Sequence, residues 1–235
     1  ELHRLERVRT DFVANASHEL KTPISALRGF VDTVIDDIEM PTETRRSFLV
    51  RSQQQIHRLA SIVQDLLQLS RLDTSHGLDS DKTLVLNDVV HKVYLTKTLD
   101  AEIKQIQLTY EPSPDCQQQI IKGRADDFAL MFSNLIDNAI KYSDHGGTVT
   151  MMLSMTERGV IMFNVTDQGV GIPAEEHDKI FERFYRVDPA RSRDKGGTGL
   201  GLSIVKHVVE RYQGRIKLVS KPGQGASFSV TFPIL

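Results

Sequence analysis

Apolar residues recur at spacings of three and four from residue 1 to about residue 73, and this periodicity constrains the fold more than any other feature. The first stretch carries Leu5, Val8, Phe12, Ala16, Leu20, Ile24, Leu27, Val31, Val34 and Ile38. Met40-Pro41-Thr42 breaks the pattern, and a second stretch carries Phe48, Leu49, Ile56, Leu59, Ile62, Val63, Leu66, Leu67 and Leu72. Two long helices joined by a turn are predicted. Both apolar stripes are wider than one seam, and a two-helix hairpin cannot bury them alone. The expected solution is an antiparallel helical hairpin that pairs with a second copy as a dimeric four-helix bundle. The alternative is that the stripe packs on a second domain. Pro23 lies inside the first helix, where a proline removes a hydrogen bond and is expected to kink the axis.

The stretch Asp73–Asp81 is small and polar, a linker by composition. The expected organisation is a hairpin domain over 1–75, a linker over 76–81 and a second domain over 82–235. In that second domain Asn87 is expected to cap a helix carrying Val89, Val90, Val93, Tyr94 and Ile103. Ile106–Tyr110 and Gln119–Ile121 read as short strands, and Ala125–Tyr142 as a helix. Thr148–Met155 and Val160–Val165 read as a hairpin around Glu157-Arg158-Gly159. A further helix, Leu200–Tyr212, is expected to end with Gly214 as its cap, before strands Ile216–Val219 and Ala226–Phe232. Helices alternating with mostly paired strands indicate a two-layer α/β sandwich.

Composition narrows the function. The formal net charge of -2 argues against general nucleic-acid binding. The single cysteine, Cys116, excludes an intrachain disulfide and reads as an ordinary free thiol in a polar loop. No apolar run approaches the roughly 18 residues of a membrane span. The helical pattern has no start signal before it, so the chain is expected to be a fragment. Its missing N-terminal part could be anything, including a membrane sensor, and a cytosolic setting fits this portion.

Four segments carry chemistry. In Ser17-His18-Glu19-Leu20-Lys21-Thr22-Pro23 an imidazole and a hydroxyl, His18 and Thr22, share a helix face, with the carboxylate of Glu19 beside the histidine. A neutral imidazole is a nucleophile at physiological pH, and one exposed on a helix needs its co-reactant delivered by another domain. On the helix Ala125–Tyr142, Asn134 and Asn138 also share a face. Their amide oxygens are hard donors suited to Mg²⁺, Lys141 offers charge to a phosphate, and Tyr142 offers a flat face to a base. A solvated polar face is the plain alternative. Asp167-Gln168-Gly169-Val170-Gly171 follows a strand, so Asp167 can accept from an exocyclic amine while Gly169 and Gly171 let backbone approach a ligand; an ordinary turn reads the same way. Gly197-Thr198-Gly199-Leu200-Gly201 precedes a helix, as an anion-binding backbone or a hinge. Between the glycine segments, Phe181, Phe184, Tyr185 and Arg186 suggest an anchored lid with a basic tail at Arg191, Arg193 and Lys195, a tail that reads equally as a solvated charge run.

Taken in order, Ser17–Pro23, Asn134–Tyr142, Asp167–Ile172, Phe181–Arg186 and Gly197–Leu202 resemble the H, N, G1, F and G2 boxes of sensor histidine kinases. The stretch Phe12–Pro23 followed by Gly29-Phe30 is similar to the phosphate-sensing and cell-wall-sensing members. The resemblance implies a homodimeric phosphoacceptor hairpin and a Bergerat-type ATP-binding domain. It implies that His18 is phosphorylated from ATP, that Glu19 handles the imidazole proton, and that the phosphoryl group passes to an aspartate of a response regulator. Thr22 matches the residue that positions water for dephosphorylating that regulator. Asn138, with Asn134, matches the Mg²⁺ site, Asp167 the adenine-reading carboxylate and Tyr142 the ring near the base. Lys141, Arg186 and the Gly197–Gly201 loop match the phosphate side. The hinges are expected at Pro23 and at 74–81. An ATPase clamp or chaperone, and a non-catalytic dimeric scaffold, are the competing readings.

Overall fold

The computed structural model describes residues 2–74, 82–157, 159–188 and 197–235, and of residues 2–12 and 74 only the backbone. It divides into two compact units, Glu1–Gln68 with Asp188–Leu200, and Leu69–Val187 with Gly201–Leu235. The linker residues 75–81, Arg158 and the basic tail Arg191, Arg193 and Lys195 lie outside the described residues.

The first unit is built on two long helices, α1 (Leu2–Asp36) and α2 (Thr42–Thr74, whose last residues from Leu69 count with the second unit). α1 runs unbroken through Pro23, which is buried. Thr22 Oγ1 donates back to the carbonyl of His18 at 3.2 Å, one turn earlier. The turn between the helices is fixed by Arg45, whose Nη2 donates to the carbonyl of Ile38 at 2.8 Å. Phe30 and Phe48 meet across the hairpin at 5.9 Å between ring centroids. Ile62 is fully buried, yet Ile24, Val31 and Ile35 of α1 and Leu49, Ile56, Val63 and Leu67 of α2 are exposed. The expected excess of apolar surface is therefore present on a single hairpin.

The second unit is the anticipated α/β sandwich. Its strands are β1 (Thr83–Val85), β2 (Gln107–Pro112), β3 (Ile120–Lys122), β4 (Thr148–Met155), β5 (Val160–Asp167), β6 (Arg215–Ser220) and β7 (Ala226–Pro233). Five of these form one sheet in the order β2-β4-β5-β7-β6, with β2 parallel to β4 and the other pairs antiparallel. The helices α3 (Leu86–Ile103), α4 (Ala125–Tyr142) and α5 (Gly201–Arg211) supply the other layer. Alternation explains the sheet: Val149, Met151 and Leu153 on β4, Ile161, Phe163 and Val165 on β5, and Phe228, Val230 and Phe232 on β7 are buried. The opposite face is polar, with Asn164 Nδ2 donating to Ser229 Oγ at 2.8 Å and to Ser227 Oγ at 3.0 Å. Phe132 packs on Phe163 at 4.5 Å and Phe128 on Phe232 at 4.9 Å, locking α4 to the sheet.

Two local expectations are corrected. Asn87 does not cap α3: Val85 of β1 holds the cap position, and Asn87 Oδ1 accepts from the Tyr110 hydroxyl at 2.8 Å instead. Gly214 is not the left-handed residue after α5. Gln213 takes that conformation, at φ 54°, and Gly214 is needed because a Cβ there would meet the Phe232 ring and the Thr231 carbonyl at 2.6 Å. Cys116 is a free thiol, as expected; it is fully buried, and burial pushes its pKa up to about 11. The short β1, paired antiparallel with β3, was not anticipated, since three residues carry too little alternation to read.

Candidate functional site

The apolar face of α4, Phe128, Met131, Phe132, Leu135, Ile136 and Ala139, is buried, and the 3.6-residue period then leaves Asn134, Asn138 and Lys141 on its edge. Asn134 Nδ2 donates to the carbonyl of Leu130 at 2.9 Å, which turns Oδ1 toward the start of α5. A Cβ on Gly201 would lie 2.6 Å from that oxygen, so only glycine permits this approach. Asn138 is half-buried and its amide has no hydrogen-bond partner among the described residues. Lys141 Nζ stands 5.3 Å from the centroid of the Tyr142 ring.

Asp167 ends β5 and is 6% exposed. Its Oδ1 accepts from the backbone N–H of Gly169 at 2.8 Å and of Ala226 at 3.3 Å. Oδ2 has no partner among the described residues, leaving one fixed acceptor. Burial raises the carboxyl's pKa above its ordinary value, and the two backbone N–H donors oppose that rise. Gly169 is pressed against α4, since a Cβ would lie 2.3 Å from the Tyr142 carbonyl. Gly171 has φ 69° and a Cβ there would lie 1.9 Å from the Lys221 carbonyl. Gly169 thus brings Asp167 against the backbone of Tyr142, while Gly171 packs on Lys221.

Sequence reasoning missed the supports. The β6–β7 turn braces the whole segment: Gly223 N–H donates to Val170 O at 2.8 Å and Gly225 N–H to Gly169 O at 3.0 Å. Ser220 Oγ accepts from Ile172 N–H at 2.8 Å and donates to the carbonyl of Gly225 at 2.6 Å. Lys104 closes the end of α4, its Nζ donating to the carbonyls of Ile140, Lys141 and Ser143 at 2.6, 2.8 and 2.6 Å. A cation there also meets the negative end of the helix dipole.

Arg186 is half-buried and follows Phe184, a non-glycine residue at φ 66°. The neighbouring Tyr185 hydroxyl donates to Glu176, and Phe181 packs edge-on against Phe228 at 6.4 Å, so this segment is anchored by aromatic residues. Arg183 and His207 both face Asp73 at the end of α2, at 3.7 and 3.6 Å, and Arg211 Nη1 donates to the Leu72 carbonyl at 2.9 Å.

In the first unit, His18 is exposed on α1 and its imidazole has no partner among the described residues. Glu19 points into the hairpin, 29% exposed, and its Oε2 accepts from Arg58 Nη2 at 3.0 Å. Gly197, Thr198, Gly199 and Leu200 are also counted in this unit. There the Thr198 hydroxyl donates to Asp65 Oδ2 at 2.6 Å and accepts from the Leu200 N–H at 3.2 Å.

Residues 123–235 match the family model described as histidine kinase-, DNA gyrase B-, and HSP90-like ATPase, and residues 8–75 match the His Kinase A (phospho-acceptor) domain. A chain carrying both, with an exposed helical histidine in the first and a strand-end carboxylate in the second, belongs to the sensor histidine kinases. It is 38% identical over 231 residues to the sensor-like histidine kinase SenX3 of Mycolicibacterium smegmatis, covering 98% of this chain and 59% of that protein. It is 33% identical over 231 residues to the phosphate regulon sensor protein PhoR of Pseudomonas aeruginosa, covering 98% and 51%. The chain therefore spans between half and three fifths of the length of these relatives. The fold is also that of histidine kinase ThkA, solved in complex with the response regulator TrrA, with TM-score 0.78, 20% identity and coverage of 99% of this chain and 64% of that one.

Proposed function

We propose that this chain autophosphorylates His18 from ATP and transfers the phosphoryl group to an aspartate of a response regulator, and that it also dephosphorylates that regulator. The observation that carries the reading is the exposed, unpartnered imidazole of His18 on α1. It belongs to a chain whose second unit holds Asp167 with one oxygen tied by backbone and the other open. The functional domains are 1–75 and 82–235, joined through 76–81. The exposed stripe on α1 and α2 supports a homodimer, because apolar patches of that extent mark protein interfaces.

Asp167 Oδ2 would accept from the adenine amine, with Tyr142 beside the base and Gly169 and Gly171 admitting it. Lys141, Arg186 and the Gly197–Gly201 loop serve the phosphates. Asn138 and Asn134 fit Mg²⁺: the first offers an uncommitted amide, the second an oxygen aimed at the start of α5. When bound, that ion neutralises charge on the phosphate oxygens. His18 attacks the γ-phosphorus through one ring nitrogen; the N–P bond forms as the bond to the bridging oxygen breaks and ADP departs. Glu19 takes the proton from the other ring nitrogen. The regulator's aspartate then attacks phosphorus, forming an acyl phosphate as the N–P bond breaks, and Glu19 returns its proton to give neutral His18. For dephosphorylation, Thr22 would turn its hydroxyl from the His18 carbonyl to hold a water. The portion acts on the cytoplasmic side of a membrane-anchored sensor; among the described residues no helix is long and apolar enough to cross a membrane.

The test is a chase. The chain is labelled with γ-labelled ATP, freed of nucleotide and mixed with receiver domains. Transfer to one receiver, followed by release of phosphate that Thr22→Ala slows, supports the reading. Phosphate release from ATP without any labelled protein would place the chain with the ATPase clamps instead.

A further inference from the structure

Glu19 and His18 are consecutive on α1, so their side chains leave the helix about 100° apart. The carboxylate is therefore not delivered to the imidazole by helix geometry alone. It is held elsewhere: Arg58, on α2 and 39 residues away in sequence, donates from Nη2 to Glu19 Oε2 at 3.0 Å. The Arg58 side chain is only 9% exposed, and its Nε is buried without a hydrogen-bond partner. Among the described residues, the charge of this guanidinium is answered by Glu19. The His18 imidazole meanwhile has no partner among the described residues.

We propose that Arg58 is a positioning residue that competes with the His18 imidazole for the Glu19 carboxylate, so that breaking the Arg58–Glu19 pair makes the proton acceptor available for phosphoryl transfer. The inference rests on the kinase reading above. In the step it governs, the His18 nitrogen bonds to phosphorus as the bond to the ADP oxygen breaks, and the second ring nitrogen gives its proton to Glu19. While Glu19 is engaged by Arg58 its carboxylate is not offered to that proton, and His18 is held in its unphosphorylated resting arrangement. A sliding or rotation of α1 against α2 changes the separation of Glu19 and Arg58, which makes the pair a point where helix motion enters the chemistry.

The experiment measures autophosphorylation of the 235-residue chain against ATP concentration for wild type, Arg58→Met, Arg58→Lys, Glu19→Gln and the Arg58→Met/Glu19→Gln double variant. Circular dichroism melts confirm folding. Methionine keeps the buried apolar stem and removes the charge. The expected result is that Arg58→Met raises kcat about fivefold, the factor equivalent to ~1 kcal/mol, with KM for ATP unchanged. Arg58→Lys should return it toward wild type, and the increase should vanish in the Glu19→Gln background. A change of equal size in both backgrounds, or a fall in kcat for Arg58→Met, overturns the proposal while leaving the kinase reading intact. Absence of phosphorylation in the wild type overturns both. If Arg58→Met fails to fold, Arg58→Gln, alone and combined with Glu19→Gln, carries the same comparison: an equal kcat ratio in the two backgrounds rejects the coupling.

Discussion

The Thr198 hydroxyl donates a 2.6 Å hydrogen bond to Asp65 Oδ2, tying the glycine-rich segment to a carboxylate of α2 within the first unit. The same oxygen of Thr198 accepts from Leu200 N–H at 3.2 Å, so this one side chain fixes the turn as well as its docking. Thr198 is 8% exposed, and the bond is therefore shielded from water.

Burial raises the Asp65 carboxyl's pKa above its ordinary 3.8, and the Thr198 bond opposes the rise. A raised folded-state value means that folding favours the protonated form. Its contribution to stability is full below the unfolded value and is lost as pH rises through the folded one. Asp65→Asn removes the ionisable group and keeps an acceptor for Thr198. Thermal melts from pH 4 to 7 should show a flatter profile for this variant and a melting point at pH 7 no lower than wild type. A lower melting point at pH 7 would show that the ionic bond to Thr198 outweighs the burial cost.

Asp167 tests the nucleotide site by the same logic with the opposite functional result. Its pKa is also raised by burial, so the charged form weakens folding as pH rises past the ordinary range. In Asp167→Asn the oxygen tied to Gly169 and Ala226 stays an acceptor, which forces the amide NH₂ into the place of Oδ2. Two donors then face each other where a carboxylate would meet an adenine amine. Titration with a fluorescent ATP analogue should show affinity reduced about 10- to 100-fold, the effect of losing a bond of ~1.5–3 kcal/mol. The melting temperature without nucleotide should hold or rise.

The brace behind Asp167 should be intolerant of even one carbon. Gly225 has φ 74°, and a Cβ there would lie 2.0 Å from the Asp167 carbonyl. Gly225→Ala should cost at least ~2 kcal/mol in denaturant unfolding, since it combines strain with a backbone collision. Gly223 also has a positive φ but open space around it. Gly223→Ala should cost less than Gly225→Ala in the same titration.

Lys104 is expected to act on nucleotide binding from outside the site. It satisfies three carbonyls at the end of α4, beside the Tyr142 carbonyl that Gly169 approaches. Lys104→Met keeps the stem and removes the donors, and should lower stability by ~1–3 kcal/mol. Nucleotide affinity should fall with it, because the end of α4 sets the position of Tyr142 against the Asp167–Gly171 turn. Unchanged affinity in a folded variant would separate the cap from the site.

The residues legible in the sequence were those whose signal is local. His18 with Thr22 and Asn134 with Asn138 follow from helical spacing, and Asp167 from a strand end followed by glycines. The hairpin, the sheet strands longer than three residues and the three helices of the second unit follow from apolar periods of 3.6 and 2. What escaped notice joins residues far apart in the chain. Arg58 reaches Glu19 across 39 residues, Lys104 reaches Lys141 across 37, and Ser220 reaches Ile172 across 48. No periodicity records such pairings. Asn87 and Gly214 show a second kind of failure, in which a local rule was sound but a tertiary contact claimed the residue first. Tyr110 takes the Asn87 amide, and the Phe232 ring excludes any side chain at 214.

The central claim is that His18 is the phosphoacceptor of an ATP-dependent kinase. Its most direct test is incubation with γ-labelled ATP and Mg²⁺, followed by acid and alkali treatment and mass mapping of the label. The account predicts label that survives alkali, is lost in acid, maps to His18 and is absent from His18→Gln. Label that persists in His18→Gln, or that resists acid, would contradict it.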